Sequence, residues 1–283
     1  MSIEITEFTD PGCPFAFSAE PHRWRILWLY ADHDVAWRRR MVVLARTPQE
    51  YVDKGFTPAK QSAAFARLAG EHGMPIDTRE RPRMAATLPA CTAVVAARLN
   101  APEREGAMLR ALRLRHLGHA QVLDEDQTIV DAARDAGLDP DAVVAWMAEP
   151  AVRDTLEEDA AAARNPTPAA RVLDHKLAGW EGGRRYTCPS YEIERIREAD
   201  VAATIPGFQP FAVYEVALAN LLPDVPRRPR PESVGALLEW AGEPLATVEV
   251  AAVCELSPEE AAEQLSAVAR RIPMGTDALW ALA

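Results

Sequence analysis

Near its start the chain reads Ile3-Glu4-Ile5-Thr6-Glu7-Phe8-Thr9-Asp10-Pro11-Gly12-Cys13-Pro14-Phe15-Ala16-Phe17, and the fold turns on this stretch. The apolar run from Ile3 to Phe8 predicts a short strand. Thr9-Asp10-Pro11-Gly12 is turn chemistry. A helix is then expected from Pro14 to Tyr30, with Phe17, Trp24, Leu27 and Trp28 on one stripe. Cys13 thus stands where a helix begins, and unpaired backbone N–H groups at such a position favour an anion. That environment lowers a thiol's pKa and makes the nucleophilic thiolate available. Pro14 agrees, because proline suits a first helical turn. The plain alternative for Cys13 is a buried, inert cysteine.

Outward from this stretch, Val35 to Leu44 predicts a second strand, with Arg38-Arg39-Arg40 as a solvated face or an anion contact. Strand, helix and strand in succession favour a parallel pair with a helical crossover. From about Pro48 to Trp180 the pattern is helical, with segments at Ala85–Leu99, Glu103–Gly118 and Gln127–Ala136, and no strand is expected there. Strand signals return at Arg184–Ile196 and Val201–Ile205, a hairpin turning at Arg197–Asp200, before a helix at Phe211–Leu222. Pro189 interrupts the first of these strands. A proline there is an edge-strand feature or a cis-proline facing a reactive thiol.

The order of elements and the short motifs together resemble the DsbA-type thioredoxin family. The nearest branches are the cytosolic FrnE-like proteins, hydroxychromene-carboxylate isomerases and kappa-class glutathione transferases. The resemblance covers residues 1–222 and implies an α/β, thioredoxin-like fold with a large all-helical insertion at about 48–180. It also implies that Cys13 is the nucleophilic cysteine, that Pro189 is the cis-proline, and that Gly207, Gln209 and Pro210 form the segment opening the last helix. Pro14, Phe15, Thr187 and Ser190 then become substrate-contact candidates. The dithiol members carry Cys-Pro-x-Cys, whereas here Cys13-Pro14-Phe15-Ala16 has no second cysteine. Three options follow for Cys13. It is a monothiol resolved by glutathione or mycothiol, a group that activates or senses substrate without exchange, or one half of a pair with Cys188.

Pro223, Pro226, Pro229 and Pro231 mark a linker at 223–231, and residues 232–283 read as three helices plus a two-stranded wing. That pattern predicts a small winged-helix-like unit. Between Pro231 and Ala283 stand two basic residues, Arg270 and Arg271, against nine acidic ones. The recognition-helix position opens Pro258-Glu259-Glu260, so contact with nucleic acid is disfavoured. Packing, homodimerisation or partner docking is the expectation instead.

The whole chain of 283 residues carries a formal net charge of −11, which also disfavours anionic membranes. No apolar run approaches the roughly 20 residues that span a bilayer. The opening Met-Ser-Ile-Glu lacks a basic, apolar leader, so a cytoplasmic protein with reduced thiols is expected. Cys91 and Cys254 read as small core residues, and His116 with His119 as a helix surface with no metal partner. The function expected is a thiol-disulfide oxidoreductase or thiol-dependent transferase acting on a small-molecule or protein thiol. The alternative is a non-enzymatic protein of the same fold that binds partners or senses redox state.

Overall fold

The computed structural model describes residues 3–33, 35–196 and 198–282, with backbone alone at 198–201. Strand β1 (Ile3–Thr9) alternates buried Ile3 and Ile5 with half-exposed Glu4 and Thr6, the period expected of a strand covered on one face. Two helices follow it, α1 (Pro14–Ser18) and α2 (Glu20–Leu29), leading to β2 (Val35–Met41). The single helix expected over Pro14–Tyr30 is therefore broken at Ala19. Pro21 explains the break, since its missing N–H cannot continue the hydrogen-bond ladder of α1. β1 runs parallel to β2, with Ile5 beside Trp37.

Eight helices form the insertion: α3 (Pro48–Asp53), α4 (Pro58–His72), α5 (Leu88–Asn100), α6 (Glu105–Arg113), α7 (Asp126–Asp135), α8 (Pro140–Met147), α9 (Pro150–Ala163) and α10 (Pro168–Val172). Its core centres on α5, whose alanine and valine side chains are small enough to let α6, α8 and α9 approach closely. Strand β3 (Ala178–Trp180) stands at the end of the block where only helix was expected, and it pairs in a hairpin with β4 (Gly183–Arg185). The chain then re-enters the sheet through β5 (Ser190–Arg195) and β6 (Glu198–Ile205), giving the order β2-β1-β5-β6. β5 is antiparallel to both β1 and β6. The one long strand expected from Arg184 to Ile196 is thus two, parted at Tyr186–Pro189. Within the expected turn at Arg197–Asp200, Arg197 lies outside the described residues. Helix α11 (Phe211–Leu221) covers the sheet face that carries Ile3, Ile5, Tyr191 and Ile193.

The C-terminal segment builds α12 (Val234–Ala241), β7 (Leu245–Ala246), α13 (Thr247–Cys254), α14 (Pro258–Val268), β8 (Ala269–Met274) and β9 (Asp277–Leu282). Its three strands pair in the order β7-β9-β8. The unit shares a core with α2: Trp24 and Trp28 are buried among Val234, Leu237, Val250 and Trp280. Trp240 meets Trp28 edge-on at 5.1 Å. The proline-rich link is itself anchored, with Trp28 Nε1 donating to the Pro229 carbonyl at 2.8 Å and the Arg228 guanidinium 3.9 Å over the Trp28 ring.

Candidate functional site

Cys13 caps the start of α1, and its thiol is buried in a cluster with Phe8, Ala16, Val42, Tyr186 and Cys188. The Cys13 thiol donates to the carbonyl of Cys188 at 3.4 Å, across 175 residues of sequence. The Cys188–Pro189 peptide bond is cis. The neighbouring Cys188 side chain is the largest influence on Cys13 and lowers its pKa. The amides of Ala16 and Phe15 act in the same direction, while burial and the charge of Asp10 oppose them. Cys188 moves the other way, pushed well up by burial and then by its bond to Cys13. Of the two thiols, Cys13 is therefore the one that gives up its proton more readily.

Asp10 lies fully buried beneath this thiol. It accepts from the amides of Gly12 at 2.8 Å and Leu44 at 2.9 Å, from the Thr87 hydroxyl at 2.8 Å, and from the Cys91 thiol at 3.5 Å. Burial raises its pKa, and those donors pull it back in part. These bonds tie the β1–α1 turn to β2 and α5, which fixes where Cys13 sits. Gly12 is needed in this turn because a Cβ there would lie 2.9 Å from Thr87 Cγ2. Tyr51 of α3, which no sequence pattern singles out, completes the surroundings: burial first, then the charges of Asp10, Cys13 and Cys188, push its phenol well up.

Around this centre Pro14 is half-buried and Phe15 is exposed, with its ring 6.2 Å from that of Phe208. Pro189 is buried. The Thr187 hydroxyl donates to the Lys176 carbonyl at 2.8 Å. The Ser190 hydroxyl donates to the Thr187 carbonyl at 2.7 Å and accepts from the Gly207 amide at 2.9 Å. Both hydroxyls are thus engaged in holding the Cys188–Pro189 loop. Gln209 Nε2 donates to the Pro206 carbonyl at 3.0 Å, closing the turn into Pro210 and α11.

Of the arginine triplet Arg38 is exposed, as a solvated face requires, whereas Arg39 and Arg40 are drawn in against carboxylates. The three pair in turn with Glu4, Glu105 and Asp159, and the last two pairs bind β2 to the insertion. His116 is buried rather than on a helix surface, with Nδ1 at 2.8 Å from the Gln121 carbonyl, and burial holds its pKa down to about 4. Among the described residues no cluster of His, Cys, Asp and Glu could hold a metal. Nor is any described helix long and apolar enough to cross a membrane. Cys91 and Cys254 are buried.

A profile described as "DSBA-like thioredoxin domain" matches residues 4–167. A ClpXP adapter protein, SpxH, from Shouchella clausii is 27% identical over 276 residues, covering 93% of this chain and 81% of that protein. Among solved structures, a probable DsbA oxidoreductase from Streptomyces coelicolor is 20% identical, with a TM-score of 0.54 over 81% of this chain and 93% of that one. The cytosolic disulfide reductase DsbM of Pseudomonas aeruginosa, also solved with GSH, is 17% identical with a TM-score of 0.52, over 76% of this chain and 98% of that one. At these identities the solved structures speak for the fold.

Proposed function

This chain belongs to the DSBA-like thioredoxin domain family, and from that premise we propose that it performs thiol–disulfide exchange through Cys13 alone. The carrying observation is the placement of Cys13 at the start of α1, beside the cis Cys188–Pro189 bond and in contact with the Cys188 carbonyl, with its pKa lowered chiefly by the neighbouring Cys188. The Cys13 thiolate attacks a substrate disulfide, one S–S bond forms and one breaks, and the displaced half leaves as a thiolate. Ala16 occupies the place of a resolving cysteine and cannot perform that step. Cys188 is a poor attacker because its proton is firmly held. An external low-molecular-weight thiol such as glutathione or mycothiol therefore resolves the mixed disulfide, carrying away the substrate half and restoring the Cys13 thiolate. This cycle belongs in a reducing, cytoplasmic setting, where such thiols are abundant. The helical insertion roofs the reacting sulfur, and Pro14, Phe15 and Pro189 shape its mouth.

The test is the pH dependence of iodoacetamide alkylation at Cys13, located by mass spectrometry with Cys13→Ser as the blank. The expected midpoint lies below the roughly 8.5 of a free thiol, and Cys188→Ala raises it. A midpoint at or above the free-thiol value in the native chain would refute the proposal.

A second reading is a partner-binding adapter, supported by the length over which the SpxH relatives match, which extends well past residue 167. In this reading the winged-helix-like C-terminal unit docks a protein partner, and Cys13→Ser retains full function. Binding to purified ClpX, measured by surface plasmon resonance for native and Cys13→Ser chains, separates it from the enzyme reading.

A further inference from the structure

A cleft of about 570 Å³ opens between the end of β2, α3, the end of α9 and the β3–β4 hairpin. Its walls include Leu44, Arg46, Lys54, Arg164, Trp180 and Arg185. In a chain of net charge −11, this wall is unusual in placing four cations against the three carboxylates of Glu50, Asp53 and Glu181. Arg46 is answered by Glu157, at 2.6 Å and 2.7 Å. Arg164 and Arg185 have no such partner: among the described residues neither lies within ion-pair distance of a carboxylate. Arg164 donates instead to the Ala160 carbonyl at 2.7 Å, with its guanidinium 5.3 Å from the Trp180 ring centre. Arg185 donates to the Tyr186 carbonyl at 2.8 Å. Arg39, Arg40, Arg98, Arg110 and Arg113 meet carboxylates, whereas buried Arg81 donates only to backbone carbonyls, of Asp77, Arg79 and His116. Burial, together with the charges of Arg46 and Arg185, holds the Arg164 guanidinium below its usual value, against the smaller opposing pull of Glu157 and Glu50. Crowded like charges of this kind are relieved when an anion sits between them.

Neither Cys13 nor Cys188 lines the cleft, but two of its wall residues connect it to them. Leu44 packs against the cluster that contains Cys13 and Cys188. Arg185 precedes Cys188 by three residues, which span at most about 10 Å of chain, and its charge is felt at the Cys188 thiol. A concave site of this volume suits a small molecule rather than a protein surface.

We propose that Arg164 and Arg185 bind a carboxylate of the substrate, so that the site selects anionic low-molecular-weight disulfides and thiols. A guanidinium suits this task because it can hold a carboxylate by two parallel hydrogen bonds. The inference rests on thiol exchange at Cys13. The aromatic wall formed by Trp180 favours a ligand with an apolar or planar portion beside its charge.

The experiment is stopped-flow reaction of the full chain with dianionic 5,5′-dithiobis(2-nitrobenzoate) and with neutral 2,2′-dithiodipyridine. The Cys13 rate is taken as the part absent from Cys13→Ser. The ratio of the anionic to the neutral rate is expected to fall about tenfold in Arg164→Gln/Arg185→Gln, and to recover with Arg→Lys at either position, as a charge-based contact requires. Added salt should lower the ratio in the native chain only. An unchanged ratio in the double variant overturns the assignment while leaving exchange at Cys13 intact. A native chain whose Cys13 reacts with neither probe faster than a free thiol overturns the exchange reading itself, and the inference with it.

Discussion

Glu249→Gln should destabilise the chain far more than a single charge removal at a surface would. The Glu249 carboxylate is fully buried in α13 and accepts from Arg110 Nη1 at 2.7 Å, Arg110 Nη2 at 2.8 Å and the Ala246 amide at 2.7 Å. At that separation and an effective dielectric near 20, the attraction is about 6 kcal/mol before the cost of removing both ions from water. Deleting one partner of such a pair commonly costs about 3–5 kcal/mol, because the other charge stays buried. Arg110 keeps Glu243 at 2.9 Å, a carboxylate that is 40% exposed, which places the expected loss near the lower end, about 3 kcal/mol. The assay is urea unfolding followed by tryptophan fluorescence and far-UV circular dichroism. With a slope of about 3 kcal/mol per molar, the midpoint should move down by about 1 M. Replacing both partners, Arg110→Met with Glu249→Met, should restore most of the loss, since no charge is then stranded. A single-variant loss below about 1 kcal/mol, or a double variant that loses the sum of the two single effects, refutes the reasoning.

Glu20 is held down to about 2 from an ordinary 4.5 by Arg23, Arg113 and Arg110, which outweigh its burial. Its folded value lies below its unfolded one, so it stabilises the fold above pH 4.5 and loses that contribution as pH falls towards 2. The span is worth about 3 kcal/mol, and Glu20→Gln should flatten the acid limb of a stability-versus-pH curve; an unaltered limb would contradict this. Gly275 turns the β8–β9 hairpin at φ +47°, where a Cβ would lie 2.4 Å from the Pro75 carbonyl oxygen, so Gly275→Ala should cost about 2–4 kcal/mol in urea unfolding. Truncation after residue 231 should abolish cooperative unfolding, because it strips Trp24 and Trp28 of their packing; a truncated chain with the full-length midpoint would disprove it.

What the sequence made legible was local. β1, its turn and the start of α1 follow from residues within a few positions of one another, and the DsbA-like order of strands and insertion followed from them. The break at Ala19 was written in Pro21, yet the apolar stripe continues through it and conceals it. The β3–β4 hairpin has strands of three residues each, too short for a period to declare itself. Within the site, Cys13 was readable because helix-start chemistry is local, whereas Tyr51 and the Arg164–Arg185 cleft arise only when α3, α9 and β4 converge. Arg39 and Arg40 misled for a related reason: their partners Glu105 and Asp159 stand far along the chain, and without them these cations read, like exposed Arg38, as a surface.

The same buried charges argue that the C-terminal unit is a structural part of the thiol site rather than a module hung on a linker. From Glu249 the chain of contacts runs to Arg110 at 2.7 Å, and Arg110 lies 3.8 Å from Glu20. Glu20 in turn pairs with Arg113, which donates to Thr9 and lies 3.5 Å from Glu7. Thr9 ends β1, one residue before the Asp10 whose bonds fix the turn that presents Cys13. Each ion in this line is nine-tenths or more buried, so none can drift from its partner without a large desolvation cost. The β8–β9 hairpin adds a second brace, with Met274 and Leu279 packed among Phe17, Phe65 and Met74. Phe17 is a residue of α1, the helix that Cys13 caps. A chain braced in this way at both α1 and β1 holds Cys13 in place through contacts made far along the sequence, and a unit that supplies them must be retained whether its outer face docks a partner or not.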